Sequence, residues 1–424
     1  MRPEDSGTKK AVRNSNLEIL RIICMLMIIL SHLCQHGISQ FPAEPDANMV
    51  FYVFGRYCGQ IGVLVFVMIS GYFMVTRDIS VRRLFRLMLE IWFYSFVILA
   101  VCLLAMGDSV TGDMIGFSLV PILRGQWWFV TAYIFLMLLS PFINAAVRNI
   151  DSRQYLTLCA VLFMITYVMY MVRGDGYISN LGSLITAYLF AGYIRLHPNA
   201  LTSDLRNGAV LLVFSLTVSV TLAATVVFEA YDGDASFDTT MYAALAILAA
   251  ATVLAMLLSR GNKKTTAIVW ILIAAGCLYG FGTVLAHSWE EVAELTRSRM
   301  AFTQLIVALG LFLTFLNMRP RCNKAVNAFA ASTFAAYLIH ESVIIREFLW
   351  TDWLDVASMF DSWAFPLYAI GCCILVLIVC VAIDKARIHL VFRPLDRYID
   401  RFSDWMESLL RGKPKVPDNG PPQR

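Results

Sequence analysis

Apolar runs set the limits on what this chain can fold into. About twelve stretches fall near 17–37, 50–75, 84–106, 127–147, 154–172, 179–194, 208–229, 239–259, 266–287, 301–318, 327–349 and 363–384. Most have the roughly 17–25 residues that a helix needs to cross a bilayer. The chain is 59% hydrophobic and only 15% charged, whereas soluble domains are about a quarter charged. A soluble enzyme is excluded, and an all-α, polytopic transmembrane helical bundle of about 10–12 spans is expected. The weakest spans are 179–194, which is short, and 266–287, which contains Gly276, Gly280 and Gly282.

Loop charges alternate along the chain. One set of loops carries Lys9, Lys10 and Arg13, then Arg77, Arg82, Arg83 and Arg86, then Arg148 and Arg153, and later Arg260, Lys263, Lys264, Arg319 and Arg321. The other set carries Asp108 and Asp113, then Asp232, Asp234 and Asp238, then Glu290, Glu291 and Glu294. The positive-inside rule puts both termini in the cytoplasm. Residues 1–15 are expected to form a cytoplasmic segment, 16–388 the transmembrane domain, and 389–424 a cytoplasmic tail that is first amphipathic and then Pro-rich and disordered. The polar start leads into a span without a small-residue cleavage site, so no cleaved signal peptide is expected. The ten Cys lie mostly singly in apolar runs with no C-x-x-C, so neither a disulfide framework nor a metal site is expected. The modest net charge of +4 gives no reason to expect a nucleic-acid partner.

The first span, NLEILRIICMLMIILSHLCQH, carries Glu18, Arg21, Ser31, His32, Gln35 and His36. Charged and titratable groups in hydrocarbon are costly, so each is a functional-site candidate by default. Ten residues separate Arg21 from His32, which on a helix means the same face within about 20° and a separation of ~16 Å. With the N-terminus inside, Arg21 lies near the cytoplasmic end and His32 in the outer half. Arg21 either snorkels to the interface with Glu18 as partner or faces the bundle. The late span holds His340 at a depth similar to His32, with Glu341 beside it and Tyr337 one turn back. Adjacent helical residues point about 100° apart, so His340 and Glu341 need not act together. Two imidazoles at one depth point to a shared polar pocket; the plainer alternative is one functional and one structural histidine.

Elsewhere the readings divide similarly. Gly59, Gly62, Ser70 and Gly71 permit close helix approach or clear space for a long ligand. Arg82, Arg83 and Arg86 serve topology and lipid contact, or bind a phosphorylated cytoplasmic ligand through Arg forks. Trp127 and Trp128 are aromatic-belt residues or, with Gln126, the door for a sugar acceptor. No GxSxG, HExxH or P-loop is present.

In order along the chain, Arg21 and His32 with their spacing, GQIGVLVFVMISGYFM, RRLFR, QWWFVTAYIFLMLLSPFIN and TFAAYLIHESVIIREFLW resemble the motifs of acyltransferase family 3, whose members O-acylate surface glycans and related extracytoplasmic molecules. The resemblance implies transfer of an acyl group, usually acetyl, from cytoplasmic acyl-CoA to a hydroxyl outside, with acetyl-CoA as co-substrate and no tightly bound cofactor. The partners it implies are acyl-CoA, a surface glycan and the bilayer, in the bacterial plasma membrane. It casts His32 as general base or acyl carrier, Arg21 as the group that handles the donor's charged arm, and His340 as a second acid/base or orienting group. Arg82, Arg83 and Arg86 would bind the donor, and Ser70, Gln126, Trp127, Trp128 and Glu341 would line the substrate site. The competing expectation is a proton-coupled secondary transporter of a small anionic or sugar substrate, in which His32, His340 and Arg21 bind proton and anion; no paired broken helices were legible to support it.

Overall fold

Polar caps open the helices. The Asn14 side chain accepts from the Asn16 amide, Asp46 from Met49, and Ser80 from Arg83, which satisfies amides that a helix start leaves without partners. The computed structural model describes residues 14–39, 46–77, 80–170, 180–231 and 302–411. Their helices are α1 (Ser15–Gly37), α2 (Ala47–Met74), α3 (Val81–Met106), α4 (Gly112–Leu119), α5 (Trp128–Arg148) and α6 (Ser152–Phe163). There follow α7 (Asn180–Leu196), α8 (Leu205–Tyr231), α9 (Phe302–Asn317), α10 (Lys324–Ala330), α11 (Thr333–His340) and α12 (Ile345–Phe348). Last come α13 (Phe365–Arg387) and α14 (Arg393–Arg411), and no strand occurs among the described residues. Helices α1, α2, α3, α5 and the run that begins with α13 are long and apolar enough to cross a membrane, and α6, α8 and α9 are shorter apolar helices. This is the all-α membrane bundle expected from hydropathy. The expected spans 239–259 and 266–287, residues 1–13 and the Pro-rich end 412–424 lie outside the described residues.

Helix α2 is the axis of the bundle, packed by α1, α7 and α9. Its glycines set how close α1 comes. A Cβ at Gly62 would sit 2.6 Å from the Cys24 carbonyl oxygen, and one at Gly59 2.5 Å from Ser31 Oγ. Backbone cannot step aside, so a methyl at Gly62 would force the two helices apart at a cost of about 1–3 kcal/mol. The glycines therefore serve close approach, as one of the two sequence readings had it. The start of α1 is anchored to the segment before α10: the Ser15 amide donates to the Arg321 carbonyl at 2.8 Å, and Asn16 Nδ2 to the Arg319 carbonyl at 2.9 Å.

One span departs from expectation. The stretch 327–349 is not a continuous helix but three short pieces, α10, α11 and α12. At the first break Thr333 Oγ1 donates to the Ala330 carbonyl at 2.9 Å, a hydroxyl taking the place of the missing helical amide. At the second, Glu341 adopts φ −101° and ψ 10° and α11 ends. The same segment then supplies Trp350, fully buried, beneath the His340 ring with centroids 6.2 Å apart.

Helices α3 and α13 are joined by charge inside the bundle. Arg387 donates to Asp384 Oδ1 at 2.8 Å through Nε and to Glu90 Oε1 at 2.9 Å through Nη2, while the Tyr94 hydroxyl donates to Asp384 at 2.8 Å. Buried ions are tolerated when paired and hydrogen-bonded in this way. After α13, a π-turn over Ile388–Phe392 leads into α14. Helix α14 lies against the start of α3: the Phe85 and Phe402 rings sit 4.7 Å apart, Arg82 and Arg86 both reach Asp400, and Arg86 also reaches Asp396.

These arginines hold the Asp400 carboxyl below its usual range. A carboxylate with a lowered folded pKa stabilises above its unfolded pKa, and that contribution is lost as pH falls through the folded value. The docked α14 is therefore expected to persist from neutral pH down past about 3.9, the ordinary Asp value, and to loosen only below it. A spin label at Tyr398 should stay immobile over that window and become mobile at pH 7 in Asp400→Asn. Loosening of the native protein already near pH 5 would contradict the pairing.

Candidate active site

His32 stands in the outer stretch of α1, and the end of α11 comes to it. His32 Nδ1 and His340 Nε2 lie 2.9 Å apart, and His340 Nδ1 lies 2.6 Å from the Ala336 carbonyl oxygen. A carbonyl only accepts, so His340 Nδ1 carries the proton and donates to it. In the neutral ring His340 Nε2 then accepts, and His32 Nδ1 is the donor across the 2.9 Å contact. Glu341 Oε2 lies 3.3 Å from the same Nδ1, within ion-pair distance. In neutral His32 the lone pair therefore resides on Nε2. One ring nitrogen is held by the protein, and the other is the basic one, the arrangement that fixes a catalytic imidazole's tautomer.

The break at Glu341 explains why adjacent residues converge. In a continuous helix the Glu341 side chain would point about 100° from that of His340. With α11 ended there, both reach His32. Glu341 is buried, with His36 Nε2 at 3.5 Å from Oε2 and Arg346 Nη1 at 3.3 Å from Oε1. The Tyr337 ring lies tilted beside His32 with centroids 5.9 Å apart and meets Phe129 edge-on in turn.

His32, His340 and Glu341 also place three potential metal-ligand atoms within 4.8 Å of one another. Two nitrogens bound to one tetrahedral ion at ~2.0 Å would lie roughly 3.3 Å apart. The 2.9 Å separation of His32 and His340 is a hydrogen-bond length and fits a shared proton better.

A cavity of about 140 Å³ opens beside His32, with Arg56, Gly59 and Gln60 of α2, Trp128 of α5, Gln304 of α9 and Tyr337 around it. Such a volume holds several water molecules. Its lining is mostly polar. Gln60 Nε2 and Gln304 Oε1 are buried without a protein hydrogen-bond partner, and buried polar groups left in that condition call for a ligand or water.

The other sequence candidates fall into separate places. Arg21 is outside the cavity and pairs with Glu18 at 2.9 Å, the partner weighed in the sequence. Trp128 lines the cavity, whereas Trp127 is 1% exposed and packs in the core behind it. Gln126 accepts from Ser95 Oγ at 2.9 Å, and Ser70 is bonded to the Phe66 carbonyl and the Tyr133 hydroxyl. Neither Gln126 nor Ser70 is among the residues that line the cavity; Gln126 Nε2 is buried without a hydrogen-bond partner. Arg82 and Arg86 meet Asp400 and Asp396 rather than an open ligand surface, a partner that the sequence reading did not weigh; Arg83 is exposed beside them. The sequence reading passed over Arg56, Gln60 and Gln304. Arg56 was findable, since a charge inside the apolar run 50–75 is a site candidate by the same rule that singled out His32.

A family model described as an acyltransferase domain matches residues 14–271 and 262–385, from the start of α1 to the last turn of α13. The chain belongs to acyltransferase family 3. It is a membrane acyltransferase, as the motif order implied, and α14 lies beyond the matched region of this acyltransferase. No curated protein and no solved structure matches the chain. In the acyltransferase, nitrogen-15 NMR of labelled histidine in bilayers should find His32 and His340 both as Nδ1–H tautomers when neutral. A proton on His32 Nε2 with Nδ1 bare would contradict the assignment.

Proposed function

We propose that this protein is an O-acetyltransferase that moves an acetyl group from cytoplasmic acetyl-CoA to a hydroxyl of an extracytoplasmic polysaccharide or envelope glycan. The single observation that carries this reading is the contact of His32 Nδ1 with His340 Nε2 at 2.9 Å, beside the Glu341 carboxylate, in a polar cavity of an acyltransferase. His32 Nε2 takes the proton of the acceptor hydroxyl as that oxygen attacks the thioester carbonyl carbon. The tetrahedral intermediate collapses with cleavage of the carbon–sulfur bond. The thiolate of CoA leaves and takes the proton back from the imidazolium, so ester and free CoA thiol are the products. The Glu341 carboxylate stabilises the imidazolium between the two transfers. The buried Gln60 amide, which lines the cavity and has no protein partner, is the side-chain donor for the oxyanion.

On the positive-inside pattern the N-terminus and the tail lie in the cytoplasm; the membrane proposed is the bacterial plasma membrane that the family resemblance implies. Arg21 then lies three turns towards the donor side of His32 and handles the charged part of the donor arm, not the reacting carbonyl. The Arg82, Arg83 and Arg86 cluster faces the same side and meets the CoA phosphates by displacing Asp396 and Asp400 from their arginines. The cavity is small, which suits acetyl over a long acyl chain.

Inverted vesicles given isotope-labelled acetyl-CoA should label an envelope glycan, and His32→Ala should lower the rate by about 10²–10⁴ at unchanged protein content in the membrane. Labelled substrate flux without CoA turnover would favour a transporter instead, and full activity in His32→Ala would remove the base.

A further inference from the structure

Arg56 is the one permanent charge among the described residues that line the His32 cavity. Its hydrogen bond among the described residues is a long one, 3.4 Å from Nη1 to the Tyr52 hydroxyl. No described carboxylate lies within ion-pair distance of it. The other cations of the region are already met: Arg346 by Glu341 and Arg21 by Glu18. Glu341 is occupied in turn by His32, His36 and Arg346. A guanidinium facing a cavity between helices with no counter-charge is costly, and an anion brought by a ligand would offset it.

The donor does not supply that anion at this place. The thioester end of an acyl-CoA is uncharged, and its phosphates lie a full pantetheine arm away from the carbonyl that meets His32. The acceptor is the other molecule that enters the cavity. Beside Arg56 stand Trp128, whose face suits the apolar face of a sugar ring, and the unmet amide atoms of Gln60 and Gln304, which suit sugar hydroxyls. One cation and two amides match a sugar that carries a single negative charge.

Resting on the acyltransferase reading of the same cavity, we infer that Arg56 is the specificity determinant for the acceptor: it binds the anionic group of an acidic glycan, a uronate carboxylate or a phosphodiester, next to the hydroxyl that His32 deprotonates. An Arg fork meets a carboxylate or phosphate with two parallel hydrogen bonds. A site built around such a charge rejects the neutral analogue, because the cavity-facing guanidinium is left without a counter-charge. Arg56 selects and positions the acceptor and takes no part in proton transfer.

The test is equilibrium binding to the purified full-length protein in nanodiscs, with three probes: a galacturonate trisaccharide, the same trisaccharide with its carboxyls reduced to alcohols, and a glycerol-phosphate trimer. The native protein should bind one of the anionic probes at least tenfold more tightly than the carboxyl-reduced trisaccharide, and the anionic probe that carries the advantage identifies its source. The advantage should shrink with added salt, vanish in Arg56→Gln and return in part in Arg56→Lys. Equal affinity for all three probes, or no binding of any, overturns the inference in the native protein without recourse to a variant. So does an undiminished advantage in a folded Arg56→Gln. An equal loss of turnover towards acidic and neutral acceptors in Arg56→Gln would put Arg56 at the reacting carbonyl and also overturn it. Because binding is read directly, a selective acidic site without acetyl transfer would count against the acyltransferase reading alone.

Discussion

The hydrogen bond between His32 and His340 organises what surrounds it. Two imidazoles meet at 2.9 Å inside an apolar bundle, and the second can serve as acceptor only because its far nitrogen is committed to the Ala336 carbonyl. That carbonyl lies one turn back in the same short helix, so α11 carries both the ring and the group that sets its tautomer. The break after His340 is part of the same device. It ends the helix, swings Glu341 towards α1, and lets the chain continue into the segment that brings Trp350 under the ring. A continuous helix would have kept the histidine and lost the carboxylate.

The opposite wall depends on how near α1 and α2 approach. Gly59 and Gly62 remove the side chains that would hold the two helices apart, and Gly59 borders the cavity itself. Close approach then puts Arg56 and Gln60 of α2 beside His32 of α1. Small residues at a helix interface and polar residues near it are the means by which membrane helices associate without a hydrophobic driving force between them. Here the same contact shapes the site.

Hydropathy made most of this legible. The apolar runs that became α1, α2, α3, α5, α7 and α13 were delimited to within a few residues, because lipid demands both length and low charge. His32 and His340 stood out since titratable groups are rare in such runs, and their shared depth survived into contact. What the sequence did not disclose is local geometry. The interruption near residues 331–332 and at Glu341 has no Pro or Gly to announce it; at the first, the Thr333 hydroxyl takes a helical carbonyl. The docking of α14 on Arg82 and Arg86 joins residues more than three hundred positions apart, which periodicity cannot register. The Glu90, Asp384 and Arg387 cluster escaped for the same reason: each charge lay near a span end, where snorkelling is the ordinary expectation.

The central claim is that His32 and His340 work as one unit, with the first as base and the second as its holder. Groups that act as a unit lose activity non-additively when removed together. The decisive measurement is the rate of acetyl transfer in His32→Ala, His340→Ala and the double variant. The account predicts that the double variant is no slower than His32→Ala alone. Losses that multiply, or a His32→Ala protein that still turns over at the native rate, would contradict it.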